Sequence, residues 1–182
     1  MSKIIFAINI TIDGFADHTA VVADDELHDF YADYLDSVDI VLLGRKTYEM
    51  MAGFWPHAKE DPGSTKSMIN FADKYNSISK VVFSKSLNEV KWNNTILNKG
   101  SLINEVLKMK NKSGKNISAG SLSIASTLME EQLIDEFWFL VHPIVLGKGK
   151  PLFENLNRRS NLKLVDINTL KSGVAVLHYK KI

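Results

Sequence analysis

Apolar runs rich in β-branched residues alternate with stretches of helical spacing along most of this 182-residue chain. The first run covers residues 3–10, and the next, residues 39–43, ends at Gly44. Continuous apolar runs of this length are typical of strands buried on both faces, as in a parallel sheet. Between the two runs, apolar side chains recur at helical spacing, namely Leu27, Phe30, Tyr31, Tyr34 and Leu35. The alternation predicts an α/β fold with helices on both faces of a mostly parallel sheet.

Later segments continue this pattern and end it with a hairpin. We predict further strands at residues 80–84, 95–97, 115–118 and 136–142, and further helices at residues 45–51, 68–75 and 102–114 and from residue 120 onward. Residues 53–64 contain two prolines and two glycines and are predicted to be a loop. The last extended runs, 162–170 and 174–180, flank Lys171-Ser172-Gly173, which is a hairpin signal. The sequence therefore predicts a single domain over residues 1–182, with a mixed sheet and a C-terminal antiparallel hairpin.

Charge and composition exclude several classes of protein. The 22 Lys and Arg residues nearly balance the 21 Asp and Glu residues, whereas nucleic-acid-binding domains carry a clear basic excess. The chain has no cysteine, which excludes disulfides and thiolate chemistry. The apolar start is short and is interrupted by Asn9, Thr11 and Asp13, so it predicts a strand rather than a signal peptide. No apolar run is long enough to span a membrane. We expect a cytoplasmic protein with neither nucleic acid nor membrane as its partner.

The junction after residues 39–43 has the character of an anion site. There the predicted strand passes through Gly44 into a helix that starts with Arg45, Lys46 and Thr47. Free N–H groups at a helix start attract anions, and the helix dipole and two cations would strengthen the attraction. The alternative is a tight turn with two solvated cations, and the pattern alone leaves both interpretations open.

A second junction resembles the first. A short predicted strand passes through Ala119 and Gly120 into a helix that begins with Ser121 and Leu122. Glycine lets the backbone approach a phosphate closely, although an ordinary serine-capped helix would show the same pattern. Ligands of open α/β sheets bind at the carboxyl ends of the strands, so the two junctions together favour a nucleotide site.

Three further positions have open interpretations. Ser84 ends the run at residues 80–84, and Lys85 follows it. A hydroxyl and a cation there would suit a ribose or a 2′-phosphate, but a solvated loop would show the same residues. Trp55 lies in the predicted loop and either forms the wall of a pocket or packs in the core.

The five histidines have no metal-ligand spacing, and the chain has neither a nucleophile elbow nor a P-loop motif. We therefore expect no metal site.

These junctions, in this order, resemble the dihydrofolate-reductase-like superfamily. The closer resemblance is to the reductase domain of bacterial riboflavin biosynthesis proteins and its stand-alone relatives, and it covers essentially the whole chain. The segments that carry it are residues 9–14 (Asn-Ile-Thr-Ile-Asp-Gly), 43–49, 54–56 (Phe-Trp-Pro), 119–122, 133–136 and 143–153. No single segment is decisive, but their joint order and spacing are specific. The resemblance implies the three-layer α/β/α fold of dihydrofolate reductase.

The resemblance also implies that the cofactor is NADPH. It assigns the binding of NADPH to ten residues, which are Gly44, Arg45, Lys46, Thr47, Ser84, Lys85, Ala119, Gly120, Ser121 and Leu122. In the family, the segment matching residues 44–47 binds the phosphates, residues 84–85 lie near the adenosine 2′-phosphate, and residues 119–121 cradle the pyrophosphate. In dihydrofolate reductases the peptide that matches Ala119-Gly120 is cis, and the sequence leaves its geometry here open. Cations at positions 45 and 85 would favour NADPH over NADH.

On the substrate side, the resemblance points to Glu26, Asp13 and Trp55. In dihydrofolate reductases a helix carboxylate holds the pterin, and Glu26 matches its place; alternatively, Glu26 is a first-turn charge that stabilises its helix. Asp13 is the second candidate catalytic residue, and Trp55 is the candidate substrate contact, because both belong to segments shared with the riboflavin-type relatives.

Together, these features predict an NADPH-dependent reductase that transfers a hydride to a small heterocycle. The expected substrate resembles a ribosylaminopyrimidine, as in 5-amino-6-(5-phosphoribosylamino)uracil reductases. Dihydrofolate or pteridine reduction is the first alternative. A nucleotide-binding module without catalysis is an alternative of another class. Because relatives are commonly dimers, a homodimer is a further hypothesis.

Overall fold

A computed structural model describes residues 1–21, 23–112, 114–154 and 156–182. Eight strands form one sheet: β1 (Ile4–Thr11), β2 (Val38–Gly44), β3 (Ser79–Phe83), β4 (Thr95–Asn98), β5 (Asn116–Ala119), β6 (Glu136–His142), β7 (Leu162–Thr169) and β8 (Ala175–Lys181). The α-helices are α1 (Asp25–Asp36), α2 (Arg45–Ala52), α3 (Lys66–Ser77), α4 (Leu102–Lys110) and α5 (Leu122–Glu130). Strands alternate with helices over most of the stretch from β1 to β6, as the sequence predicts; the exception among the strands is β4, which follows β3 without a helix between them.

The sheet is mostly parallel, with the order β4-β3-β2-β5-β1-β6-β8-β7. Strands β1 to β6 pair with one another in parallel, whereas β8 runs antiparallel to both β6 and β7. The turn between β7 and β8 contains Gly173, whose φ of 85° is the left-handed conformation that glycine adopts without strain. This arrangement confirms the predicted mixed sheet and the C-terminal hairpin.

Alternate residues of β1 lie in different hydrophobic clusters, which gives the fold its three layers. Ile4 and Phe6 pack with α4 and α5, through side chains such as Val106 and Leu128. Ile5, between them, packs with α1, α2 and α3 on the opposite face. Successive side chains of a strand point to opposite faces, so the sheet separates two helical layers. The predicted α/β/α architecture is confirmed.

Two segments differ from the sequence prediction, and both have local causes. The predicted loop at residues 53–64 contains a 3₁₀ helix, Trp55–Glu60, in which Pro56 lies at the start, where its missing N–H costs no hydrogen bond. Helix α3 begins before the predicted residue 68 because Thr65 caps it by accepting a hydrogen bond from the Met68 N–H at 3.2 Å. No helix in the described part of the chain is long and apolar enough to cross a membrane.

The sheet opens beside β1, and this opening positions the site. Strand β1 pairs with β5 only at Ile4 and Ile5, but with β6 from Ile5 as far as Thr11. Strand β5 ends at Ala119, where the chain turns away toward α5. Beyond that point β1 has no strand partner on its β5 side among the described residues. The sheet therefore splits between β1 and β2 at its carboxyl edge.

Candidate functional site

A cleft of about 680 Å³ lies where the sheet splits. Its floor is the open part of β1, residues 6–9, where Ala7 is a small residue. One wall is formed by α1, α3 and the 3₁₀ helix, and the other by the starts of α2 and α5. The cleft is therefore a groove at the carboxyl ends of parallel strands, the usual place for a ligand in an open α/β sheet.

The helices that start at the cleft differ from the others at their N-termini. Asp24, Thr65 and Ser101 each accept a hydrogen bond from a backbone N–H in the first turn of α1, α3 and α4. At α2 and α5 no side chain among the described residues makes such a cap. Uncapped first-turn N–H groups, together with the helix dipole, form an anion-binding site. The two uncapped helices follow β2 and β5, which are neighbours in the sheet.

A hydrogen bond joins the two helix starts. Ser121, the residue before α5, does not cap its own helix; its Oγ accepts from the Gly44 N–H at 3.0 Å. A Cβ on Gly44 would lie 2.7 Å from Ser123 Oγ, and one on Gly120 would lie 2.5 Å from Val41 Cγ1. At Gly120 the neighbouring atoms are buried and leave no room for a Cβ, and the hydrogen bond between Gly44 and Ser121 holds the two junctions side by side.

The ten predicted cofactor residues divide into three groups. Five of them line the cleft: Lys46, Thr47, Gly120, Ser121 and Leu122. Gly44, Arg45 and Ala119 belong to the same junctions but do not line it. Ser84 and Lys85 follow β3, on the far side of β2 from β5. The structure thus brings the two predicted junctions together, and places Ser84 and Lys85 one strand further along the sheet.

The outer part of the site, which does not line the cleft, consists of Arg45, Ser84 and Lys85. Their side chains have weak partners or none. The Arg45 guanidinium forms an exposed ion pair with Glu49 at 3.0 Å, the kind of pair that contributes little to stability. Ser84 Oγ accepts hydrogen bonds from the N–H groups of Ser86 and Leu87 at 3.2 and 3.1 Å, which fixes the turn after β3. Lys85 is exposed and makes no ion pair with any residue that the structure describes. Lys85 is therefore free to bind an anion, whereas Arg45 would exchange a weak exposed ion pair for one.

The sequence of this chain matches the RibD C-terminal domain over residues 2–176. It is also 35% identical to the Bacillus subtilis protein YyaP, itself uncharacterized, over 97% of this chain and 94% of that protein. The chain belongs to the RibD C-terminal domain family.

Solved structures share the fold at low sequence identity. A pyrimidine reductase-like protein from Corynebacterium diphtheriae matches with a TM-score of 0.66 and 15% identity, over 100% of this chain and 92% of that one. A Thermotoga maritima diaminohydroxyphosphoribosylaminopyrimidine deaminase/5-amino-6-(5-phosphoribosylamino)uracil reductase matches with a TM-score of 0.67 and 13% identity, over 100% of this chain but 57% of that one. Dihydrofolate reductase from Enterococcus faecalis, complexed with NADP(H) and RAB-propyl, matches with a TM-score of 0.62 and 10% identity, over 98% and 96%. The fold is therefore that of dihydrofolate reductase, and the family supports a reductase-like role.

Glu26, the residue matched to the pterin-binding carboxylate, does not line the cleft of this RibD-type domain. Its carboxylate instead accepts a hydrogen bond from the Lys171 N–H, in the β7–β8 turn, at 2.6 Å. Glu26 thus joins the start of α1 to the C-terminal hairpin, which favours its structural interpretation over its catalytic one. Its catalytic role stays a prediction.

Asp13 also lies outside the cleft lining and organises a neighbouring loop. Its carboxylate accepts hydrogen bonds from the Thr11 hydroxyl at 2.6 Å and from the Gly147 and Leu146 N–H groups at 2.7 and 3.1 Å. These hydrogen bonds, with that from Thr11 the strongest, lower the pKa of Asp13 to about 2. Asp13 therefore connects the loop after β1 to the loop after β6, and Lys150 of the second loop lines the cleft.

We expect Asp13→Asn to loosen this connection. An amide keeps one acceptor oxygen but loses the charge that strengthens the hydrogen bonds from residues 146 and 147. Hydrogen exchange of those two amides should become faster in the variant, while exchange in the buried strand β6 stays unchanged. Acidification of the wild type from pH 5 to below pH 2 should produce the same loosening, because the low folded-state pKa is stabilising only while the carboxylate is ionised. Unchanged exchange at residues 146 and 147 in both experiments would contradict this role.

Trp55 lines the cleft as part of an aromatic wall that the sequence did not reveal, and its role as a substrate contact stays a prediction. Its ring lies 4.6 Å from that of Phe71 and 5.7 Å from that of His28, both nearly edge-on. Tyr31 and Tyr34 extend the wall along α1, and burial raises the pKa of both hydroxyls, so they stay neutral. These aromatic residues come from α1, α3 and the 3₁₀ helix, and no local sequence pattern connects them.

The cleft also contains a polar pair that no sequence pattern indicates. Asn9 lines the cleft, and its Oδ1 lies 3.1 Å from Nε2 of the buried His142, its diagonal neighbour on β6. Burial lowers the pKa of His142, which favours the neutral ring. The pair holds the Asn9 amide in place at the floor.

The described residues contain no group of three or more His, Cys, Asp or Glu side chains arranged to hold a metal ion. Their peptide bonds are all trans, including the one between Ala119 and Gly120, whose geometry the sequence leaves open.

Proposed function

We propose that the chain is an NADPH-dependent reductase that transfers a hydride to a small heterocycle of the ribosylaminopyrimidine type. The observation that carries the proposal is the pair of uncapped helix starts, α2 and α5, joined through Ser121 and Gly44 beside an open cleft. The family and the fold shared with an NADP(H)-bound dihydrofolate reductase support the same conclusion.

The residues of the two junctions fit the phosphates of a dinucleotide. The first-turn N–H groups of α2 and α5 would donate to the pyrophosphate, and Lys46 would add a positive charge in the cleft. Gly44 and Gly120 leave the space that a Cβ would fill. Lys85 and Arg45, in the outer part, would bind the 2′-phosphate that distinguishes NADPH from NADH.

The rest of the cleft would hold the reacting rings and exclude water. When bound, NADPH supplies the hydride, and the protein positions the two rings and keeps them dry. The open edge of β1, with the small Ala7, offers a flat surface, while Trp55 and Phe71 form the opposite aromatic wall. The alternative of dihydrofolate or pteridine reduction receives less support, because no Asp or Glu side chain of the described residues lines the cleft.

Binding of the two nucleotides tests the proposal. We expect isothermal titration to show micromolar binding of NADPH and weaker binding of NADH. Lys85→Met should weaken NADPH about tenfold and leave NADH unchanged, because one lost charge-assisted contact to a phosphate has about this effect. Lys66→Met, at the exposed start of α3, is the matched control and should change neither affinity.

Two results would contradict the proposal in different ways. If neither nucleotide binds at sub-millimolar concentration, the reductase assignment fails. If Lys85→Met weakens both nucleotides equally, Lys85 does not contact the 2′-phosphate. Binding of NADPH without turnover on a panel of pyrimidines and pteridines would favour the non-catalytic nucleotide-binding module.

Three expectations from the sequence stay predictions: the homodimer, the cytoplasmic location and the single-domain assignment of residues 1–182.

A further inference from the structure

A second pocket, of about 380 Å³, lies apart from the cleft. It is bounded by α2, the 3₁₀ helix, the end of α3 and the segment before β4. We call it the lateral pocket, and among the described residues it shares no lining residue with the cleft. The proposed reaction therefore leaves this pocket without a role. Its lining residues are Tyr48, Ala52, Pro56, His57, Asn76, Lys91, Trp92 and Asn93.

Several polar groups of the lateral pocket already have partners within the protein. The Asn76 side chain accepts a hydrogen bond from the Trp92 indole N–H at 2.6 Å and donates one to the Trp55 carbonyl oxygen at 3.1 Å. At the exposed rim, His57 Nδ1 lies 3.3 Å from a carboxylate oxygen of Glu60. These contacts fix the shape of the pocket, and they leave the Trp92 N–H and the Asn76 amide engaged.

The Tyr48 hydroxyl, in contrast, has an unused proton. Tyr48 is buried, and its oxygen accepts a hydrogen bond from the Lys91 N–H at 2.9 Å, but no described residue accepts its own hydroxyl proton. The Asn93 amide likewise makes no hydrogen bond with the described residues, and the exposed Lys91 ammonium pairs with Glu89 at 3.0 Å. A hydroxyl, an amide and an ammonium are thus available as donors, so the pocket suits a ligand that accepts hydrogen bonds.

The charges around the lateral pocket favour an anion. Lys91 and His57 line it, whereas no Asp or Glu among the described residues does. The Trp92 ring also contacts a buried ammonium: Lys80 Nζ lies 4.6 Å from the ring centre and donates to backbone carbonyls, with no carboxylate partner in the described part of the chain. An anion nearby stabilises such a buried cation. The carboxylates at the rim form exposed ion pairs, which are weak.

We propose that the lateral pocket binds a small aromatic carboxylate. The carboxylate accepts from the Tyr48 hydroxyl and pairs with the Lys91 ammonium, because these are the available donors. The ring packs on the apolar lining, which includes Pro56 and Trp92. The site lies outside the cleft, so the proposal does not depend on the reductase function.

Three probes of nearly the same shape test the charge of the ligand. At neutral pH benzoate is an anion, benzamide is neutral and benzamidine is a cation. Each of the three tryptophans gives one indole N–H signal in ¹⁵N NMR spectra. We expect benzoate to shift the Trp92 signal with a dissociation constant of about 1 mM, and to leave that of Trp138 in place. Benzamide should bind about tenfold more weakly, and benzamidine should cause no shift.

Four variants test the position of the ligand. Tyr48→Phe keeps the ring but removes the hydroxyl, so benzoate should bind about tenfold more weakly, whereas Tyr179→Phe, on β8, should leave its affinity unchanged. Lys91→Met, at an exposed position where the fold is not at risk, should also weaken benzoate severalfold. Lys46→Met removes a cation of the cleft and should have no effect.

Three results would overturn the proposal. The first is a Trp92 signal that does not move at about ten times the expected dissociation constant of benzoate, or that moves equally with all three probes. The second is unchanged benzoate affinity in Tyr48→Phe or in Lys91→Met. The third is loss of benzoate binding in Lys46→Met, which would place the ligand in the cleft. None of these results bears on NADPH binding, so the proposed function is tested separately.

Discussion

Gly120→Ala should weaken NADPH binding more than tenfold and also destabilise the fold. A methyl group at this position would lie 2.5 Å from Val41 Cγ1, 3.0 Å from Leu43 Cδ2 and 3.1 Å from the Leu42 carbonyl oxygen. Val41 and Leu43 are buried, and Leu42 contributes a backbone atom of the central strand β2, so none of them can move easily. The chain must instead shift at Gly120, which displaces the start of α5 from that of α2. Overpacking of this kind costs about 1–3 kcal/mol.

Gly53→Ala is the matched control for this substitution. A methyl group on Gly53 would lie 3.5 Å from the Glu49 and Met50 carbonyl oxygens, an ordinary contact, and the residue has a helical φ of −73°. Calorimetry should show a fall in Tm of roughly 2–12 °C for Gly120→Ala and no fall for Gly53→Ala. Titration with NADPH should show the affinity loss only in the first variant. Full NADPH affinity in a Gly120→Ala protein would mean that the α5 junction takes no part in cofactor binding.

The two junctions could be predicted from sequence because their signals are local. Each consists of an apolar strand run, a glycine and a helix start within a few residues, and topology then brings neighbouring strand ends together. The same holds for the hairpin turn at Gly173. What the sequence could not show is that Ser121 gives its hydroxyl to Gly44 rather than to its own helix, because the two residues are 77 positions apart.

Side-chain direction accounts for the remaining differences. Glu26 and His28 lie in the same turn of α1, yet Glu26 faces the C-terminal hairpin and His28 faces the cleft. Residues two apart on a helix point in nearly opposite directions, so a match that places only the helix does not tell which of the two faces the cleft. Asp13 likewise has two of its partners 133 and 134 residues away, at Leu146 and Gly147. Only the folded sheet brings these residues together.

Lys80 is a fully buried cation with no carboxylate partner among the described residues. Its Nζ donates to the carbonyl oxygens of Tyr75 and Ile78 at 2.8 and 2.9 Å, at the end of α3, and lies 4.6 Å above the Trp92 ring. Burial lowers the pKa of Lys80 from 10.5 to about 8. The ammonium group therefore caps the negative end of the α3 dipole, but at a cost in desolvation.

This shift predicts that the protein becomes more stable as the pH rises from 7.5 to 9.5. Between the folded pKa, about 8, and the unfolded value of 10.5, the unfolded chain binds more protons than the folded one, so the free energy of unfolding increases with pH. The increase should be about 2 kcal/mol, measured by urea unfolding. Lys80→Met should abolish it, whereas Lys66→Met, at an exposed lysine, should keep it. The buried tyrosines act in the opposite direction, because burial raises their pKa, and their effect becomes large only as unfolded tyrosine ionises near pH 10. A direct NMR titration of the Lys80 side chain should have its midpoint near pH 8. A midpoint at 10.5 would contradict the prediction, because it would mean that contacts with the α3 carbonyls and Trp92 cancel the effect of burial on the pKa.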